Sequence, residues 1–150
     1  MRDSPSTGNE KTLPELLDCI AKAATTATKT GNKYVIDFHS MEKSSILGKT
    51  STGEGASFSG DRIYCGLVTK KKGTGSKAHF HPDETFNYVL KGALKVHMDG
   101  MDFVVPTGCL FHIPANMVHI AVATDDGDAT YLVWRDRVGE KAGKPITSEV

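Results

Sequence analysis

An excess of charge is the first thing this sequence lacks: over 150 residues, eighteen lysines and arginines balance eighteen aspartates and glutamates. A summed field near zero gives no reason to expect nucleic acid, an anionic membrane or a strongly charged macromolecule as partner, which leaves a small molecule as the expected ligand. Cysteine is scarce and odd in number, with Cys19, Cys65 and Cys109 widely spaced. That fits neither a disulfide framework nor a zinc-knuckle pattern, and it reads as reduced thiols in a cytoplasmic protein. Long apolar runs are missing as well: none approaches the roughly 20 residues that cross a bilayer, and the opening MRDSPSTGNEK has no apolar h-region. No internal repeat is visible, which excludes a propeller or a duplicated barrel. What is present, at 39% hydrophobic composition, is enough apolar material for the core of one ordinary domain.

Along the chain the hydrophobic period changes once. Residues 1–10 are polar and aperiodic, and read as a tail. From Thr12, a candidate N-cap followed by Pro14 and Glu15, the residues Leu13, Leu16, Leu17, Ile20, Ala23 and Ala24 form one apolar stripe that stops before Gly31-Asn32. This pattern predicts a helix packed outside the main body or at a dimer contact. Beyond Asn32 short β-rich runs take over, separated by Gly, Asp and Pro, so the body is expected to be an all-β sandwich or closed barrel. Nine strands are predicted: Tyr34–Phe38, Arg62–Lys70, Lys77–His81, Phe86–Leu90, Leu94–Met98, Asp102–Val105, Leu110–Ile113, His119–Thr124 and Ala129–Arg135. The expected division is a tail and helix over 1–32, a barrel over 33–136 and a C-terminal tail over 137–150. Gly48–Gly60, with Phe58 as its one bulky apolar residue, reads as a mobile loop that a functional reading would make a lid. The Lys70-Lys71-Lys72 run before Gly73 reads as a solvated turn.

Chemistry concentrates in two stretches. Residues two apart on a strand face the same side, so His79 and His81 in Gly73-TGSKA-His79-Phe80-His81 present two imidazoles together. A third, His119, follows the turn after Gly108-CLFHI-Pro114. Three imidazole nitrogens suit Fe(II), Zn, Ni, Cu or Mn. If Thr85 faces inward, alternation points Asn87 and Val89 inward with it, which makes Asn87 a candidate contact for substrate or for a metal ligand. His112 is more simply a barrel-wall residue than a spare ligand. His97 faces away from Leu94, Val96 and Met98, toward solvent. Tyr64, Phe86, Tyr88, Phe111, Met117 and Trp134 supply apolar bulk.

These two stretches resemble the paired motifs of the cupin superfamily, G-x5-H-x-H-x3,4-E-x6-G and G-x5-P-x-G-x2-H-x3-N. Gly73, His79, His81 and Gly92 fall on the first, Gly108, Pro114 and His119 on the second, with fifteen residues between the motifs. The resemblance spans about Tyr34 to Arg135. It implies a jelly-roll barrel (a double-stranded β-helix) with one divalent metal bound inside by His79, His81 and His119. Thr85 stands where the family has its Glu ligand; the adjacent Glu84 reaches the metal only if the turn bulges, and it is carried as a candidate ligand or catalytic group. Asn116 replaces the second-motif Gly, and Ala123 its Asn.

Three functions remain open at this level. The first is an Fe(II)-dependent, dioxygenase-like oxidoreductase acting on a small oxygen-chelating substrate. The second is a lyase or isomerase of a sugar or keto acid, with Zn2+, Ni2+ or Mn2+ as alternative ions and Glu84 or a tyrosine moving the proton. The third is a small-ligand binding module without catalysis. A homodimer is expected from the apolar stripe of the N-terminal helix and from what is common among cupins.

Overall fold

The computed structural model describes residues 34–136 and 144–145, together with Pro14. The predicted N-terminal helix therefore lies outside the described residues. The chain divides into two compact units, Met1–Asp37 and Phe38–Val150, and the second contains every described strand. These are β1 (Glu54–Ser59), β2 (Ile63–Lys70), β3 (His79–Phe80), β4 (Thr85–Lys91), β5 (Ala93–Met98), β6 (Met101–Pro106), β7 (Leu110–Ile113), β8 (His119–Ala123), β9 (Ala129–Asp136) and β10 (Lys144–Pro145).

Two five-stranded sheets result, ordered β1-β2-β9-β4-β7 and β10-β3-β8-β5-β6, with every named pairing antiparallel. From β2 onward the chain changes sheet at nearly every connection, so each sheet is assembled from strands distant in sequence. The inward positions follow the two-residue period: β4 buries Thr85, Asn87 and Val89, and β9 buries Ala129, Tyr131 and Val133. Val68, Val89 and Val133 of the first sheet share one core with Leu94, Val96 and Ala121 of the second. Each of the larger fully buried side chains contributes about 1.5–3 kcal/mol of transfer free energy.

Three expectations about elements need correction. Residues 34–38 form no strand: their β-prone side chains meet no partner ladder among the described residues, and propensity alone does not hold a strand. The stretch Gly48–Gly60 is not simply a loop, because its second half is β1, paired with β2 from Glu54↔Thr69 to Ser59↔Tyr64. Gly55 explains the misleading composition: a Cβ there would lie 1.9 Å from the Leu67 carbonyl oxygen, so the close approach of two backbones demands glycine within a strand. Lys144–Pro145, in the expected C-terminal tail, pair with β3 as β10.

Among the described residues, no helix is long and apolar enough to cross a membrane. Cys65 and Cys109 are free thiols.

Candidate metal centre

His79 and His119 are directly opposed across the β3–β8 pair, and His81 follows β3 by one residue. Turn chemistry sets their placement. Asn116 adopts φ 62°, the left-handed region that asparagine tolerates, so it can stand where the motif has glycine and still reverse the chain into β8. Its amide donates to the His81 carbonyl at 2.7 Å, tying the two histidine-bearing stretches together.

The three rings lie with centroids 4.3 Å (His79–His119), 5.0 Å (His81–His119) and 5.8 Å (His79–His81) apart. All three residues are buried, and one ring nitrogen of each lies within 4.8 Å of the others. Each Nδ1 donates to a main-chain carbonyl: His79 to Lys77 at 2.7 Å, His81 to Asp83 at 2.9 Å and His119 to Met117 at 2.9 Å. A carbonyl only accepts, so the proton is held on Nδ1 and Nε2 keeps its lone pair. Burial, the largest cause, pulls His79 below the ordinary imidazole value and His119 down to about 4, and nearby positive groups add to both shifts. Neutral, orientation-locked imidazoles are the donor set a divalent transition metal takes, so the cluster can hold such an ion.

The remaining sequence candidates separate. Asn87 is buried and lines the same cavity as the three histidines, as alternation requires. Thr85 also faces inward, but its hydroxyl donates to Asp83 Oδ2 at 3.3 Å. Glu84 does not come round. Its side chain is half exposed, with Oε1 accepting from His112 Nε2 at 2.7 Å, and its amide donates to Asp136 Oδ2. Strict alternation prevailed over a bulge, and Glu84 is removed from the candidate ligands and from the catalytic candidates. His112 stacks on Phe86 outside the cavity, and His97 pairs with Asp102 in solvent. No carboxylate joins the histidine cluster among the described residues.

Sequence reasoning missed three ionisable cavity residues, Lys70, Tyr131 and Arg135. Lys70 belongs to no solvated turn: it is 2% exposed and lines the cavity, whereas Lys71 does reach solvent and pairs with Asp128 at 3.0 Å. Tyr131 and Arg135 line it from β9. The signal was available, since Gly66, Val68 and Lys70 on β2 and Ala129, Tyr131, Val133 and Arg135 on β9 are two-residue series running inward. Beneath His81 sits Asp83, fully buried, with Oδ2 3.4 Å from His81 Nδ1 and 3.5 Å from Arg135 Nε. The cavity is narrow, about 40 Å³. That is space for roughly three water molecules, or an ion with one small ligand. Leu47 and Ser51 line it too, so the first half of the Gly/Ser/Thr-rich stretch reaches the cavity although the second half is a strand.

Comparison with known proteins agrees with this architecture. No curated protein sequence matches the chain. Among solved structures, the polyketide cyclase RemF from Streptomyces resistomycificus is 17% identical, with a TM-score of 0.66 over 77% of this chain and 87% of its own. A cupin-like protein from Thermotoga maritima is 20% identical, with a TM-score of 0.60 over 74% and 90%. KdgF from a Halomonas species is 19% identical, with a TM-score of 0.57 over 68% and 94%. At such identities the likeness establishes the fold alone. Residues 66–135, which carry all three histidines, match the family model described as a cupin domain, in agreement with the two motifs and with the fold of these solved structures.

Proposed function

We propose that the chain is a metal-dependent enzyme acting on a small metal-chelating organic molecule, with Fe(II) as the ion and dioxygenase-like oxidation as the chemistry. One observation carries this reading: three buried imidazoles, each locked with Nε2 free, converge on a cavity to which no described carboxylate contributes. An ion bound by neutral donors alone keeps its full charge and retains positions for further ligands, and that is what the metal would supply. The chain's own residues do the rest. The Nδ1 contacts hold the rings in place, the core around Leu94 and Val133 excludes bulk water, and the Asn87 amide offers a polar contact to whatever enters.

A second reading, a lyase or isomerase, is favoured by Tyr131. This tyrosine lines the cavity, and burial pushes its hydroxyl well above the ordinary phenol value, so it stays protonated as a donor. It offers a hydrogen-bond donor to a carbonyl or enolate oxygen inside the barrel, where Glu84 does not reach.

The deciding experiment loads the protein separately with Fe(II), Zn2+ and Ni2+ and offers a panel of diketones, hydroxy acids, keto acids and phenols. Oxygen uptake confined to the Fe(II) form supports the oxidoreductase. Conversion with zinc or nickel under nitrogen supports the lyase or isomerase instead. Failure of all three ions to bind stoichiometrically would sink both readings and leave a binding module.

A further inference from the structure

Lys70 is a buried cation for which the described protein supplies too few partners. Its ammonium sits at the inner end of β2, 2% exposed, and lines the histidine cavity. Nζ donates to the Ala121 carbonyl at 2.6 Å and lies 5.7 Å from the centroid of the Tyr131 ring. That carbonyl is shared with the amide and hydroxyl of Ser76. An ammonium has three N–H donors, and one hydrogen bond and a π-face leave it under-satisfied. Arg135, the other cation lining the cavity, has the Asp83 carboxylate 3.5 Å from its Nε, whereas no described carboxylate pairs with Lys70. A buried charge is retained at a cost of several kcal/mol unless something compensates it. A divalent ion on the histidines would add two more positive charges to the same small space.

We infer that the cavity takes a small carboxylate, with the Lys70 ammonium meeting its anionic end. The inference rests on the metal reading only for the ligand's other end, where a hydroxyl or carbonyl oxygen would face the histidine cluster. A planar carboxylate suits a narrow cavity of about 40 Å³, which restricts the ligand to a few heavy atoms beside an ion. The same chemistry also accounts for the position of Lys70. An ammonium with no described carboxylate beside it favours an anionic ligand over a neutral analogue of the same shape.

The test is calorimetric binding of glycolate, its neutral isostere glycolamide, and inorganic phosphate, with metal-free and Zn2+-loaded protein. Wild type, Lys70→Met and Lys70→Gln are compared. The glutamine variant keeps a donor for the Ala121 carbonyl while removing the charge. We expect glycolate to bind at least tenfold more tightly than glycolamide or phosphate, and both variants to lose at least tenfold in glycolate affinity with unchanged zinc stoichiometry. Equal binding of glycolamide, tighter binding of phosphate, or wild-type glycolate affinity in both variants would overturn the inference. If no zinc binds, the metal reading fails separately, and the Lys70 dependence measured on metal-free protein still decides this one.

Discussion

At the scale of single residues, the site is governed by where protons sit. His119 has a pKa of about 4 in the folded protein, against roughly 6.5 for an unfolded imidazole, and His79 is shifted the same way. Between these values the unfolded chain binds protons that the folded chain refuses, so stability falls as pH drops from about 6.5 toward 4. For the metal-free protein we expect a loss on the order of 2 kcal/mol over that window from His119. Urea midpoints measured from pH 7 to pH 4.5 read it, and a flat profile would contradict the buried, neutral state of the ring. His119→Ala should flatten that acid limb and abolish stoichiometric metal, as elemental mass spectrometry would show. Lys70 gives the opposite lesson about cost. Burial lowers its amine to about 7, so removing the charge should relieve the folded state. Lys70→Met is expected to raise the stability of the metal-free protein by roughly 1–3 kcal/mol, read as a higher melting temperature.

At the scale of elements, ordinary alternation made most strands legible. Leu110–Ile113 appears with its predicted bounds, and seven other predicted strands shift by a few residues at their ends. The misses have separate causes. β1 was hidden because Gly55 reads as loop in composition, yet it serves a close contact with the Leu67 carbonyl that only the paired strand reveals. Residues 34–38 had the right composition for a strand and lacked a neighbour to pair with among the described residues. The motif glycine Gly92 shows when a glycine matters. With φ 73° and a hypothetical Cβ 2.3 Å from the Asp128 carbonyl oxygen, it turns the chain tightly between β4 and β5. Gly92→Ala should cost about 1–3 kcal/mol, measurable as a fall in urea midpoint without a change in slope. An unaffected midpoint would mean that this turn relaxes freely.

At the scale of the whole molecule, the cavity exists because two sheets face one another, and the histidines enter it on β3, β8 and the turn after β3. An ion bound by the folded cluster alone stabilises the fold by mass action, about 2.7 kcal/mol at a free concentration 100 times Kd. Thermal melts with and without Zn2+ check this: the midpoint should rise in wild type and stay put in His119→Ala. We also propose that the protein is a homodimer, on the strength of the apolar stripe between Leu13 and Ala24. Sedimentation equilibrium at micromolar concentration should give twice the 16.2 kDa chain mass, and a monomer would refute it.

The all-β body, the facing pair His79 and His81, the third imidazole His119 and the inward Asn87 follow from the sequence by itself, because a two-residue period and a fixed motif spacing act over short distances. Tertiary structure decided the rest. A carboxylate one residue out of register points away from the cavity, so Glu84 met His112 outside the barrel. A lysine at a strand end becomes a buried cavity cation only when the opposite sheet closes over it, as the Ala121 carbonyl of β8 does for Lys70 of β2. Pairings across about 50 residues of chain determine which side of the wall a charged group occupies, and local composition carries no record of them.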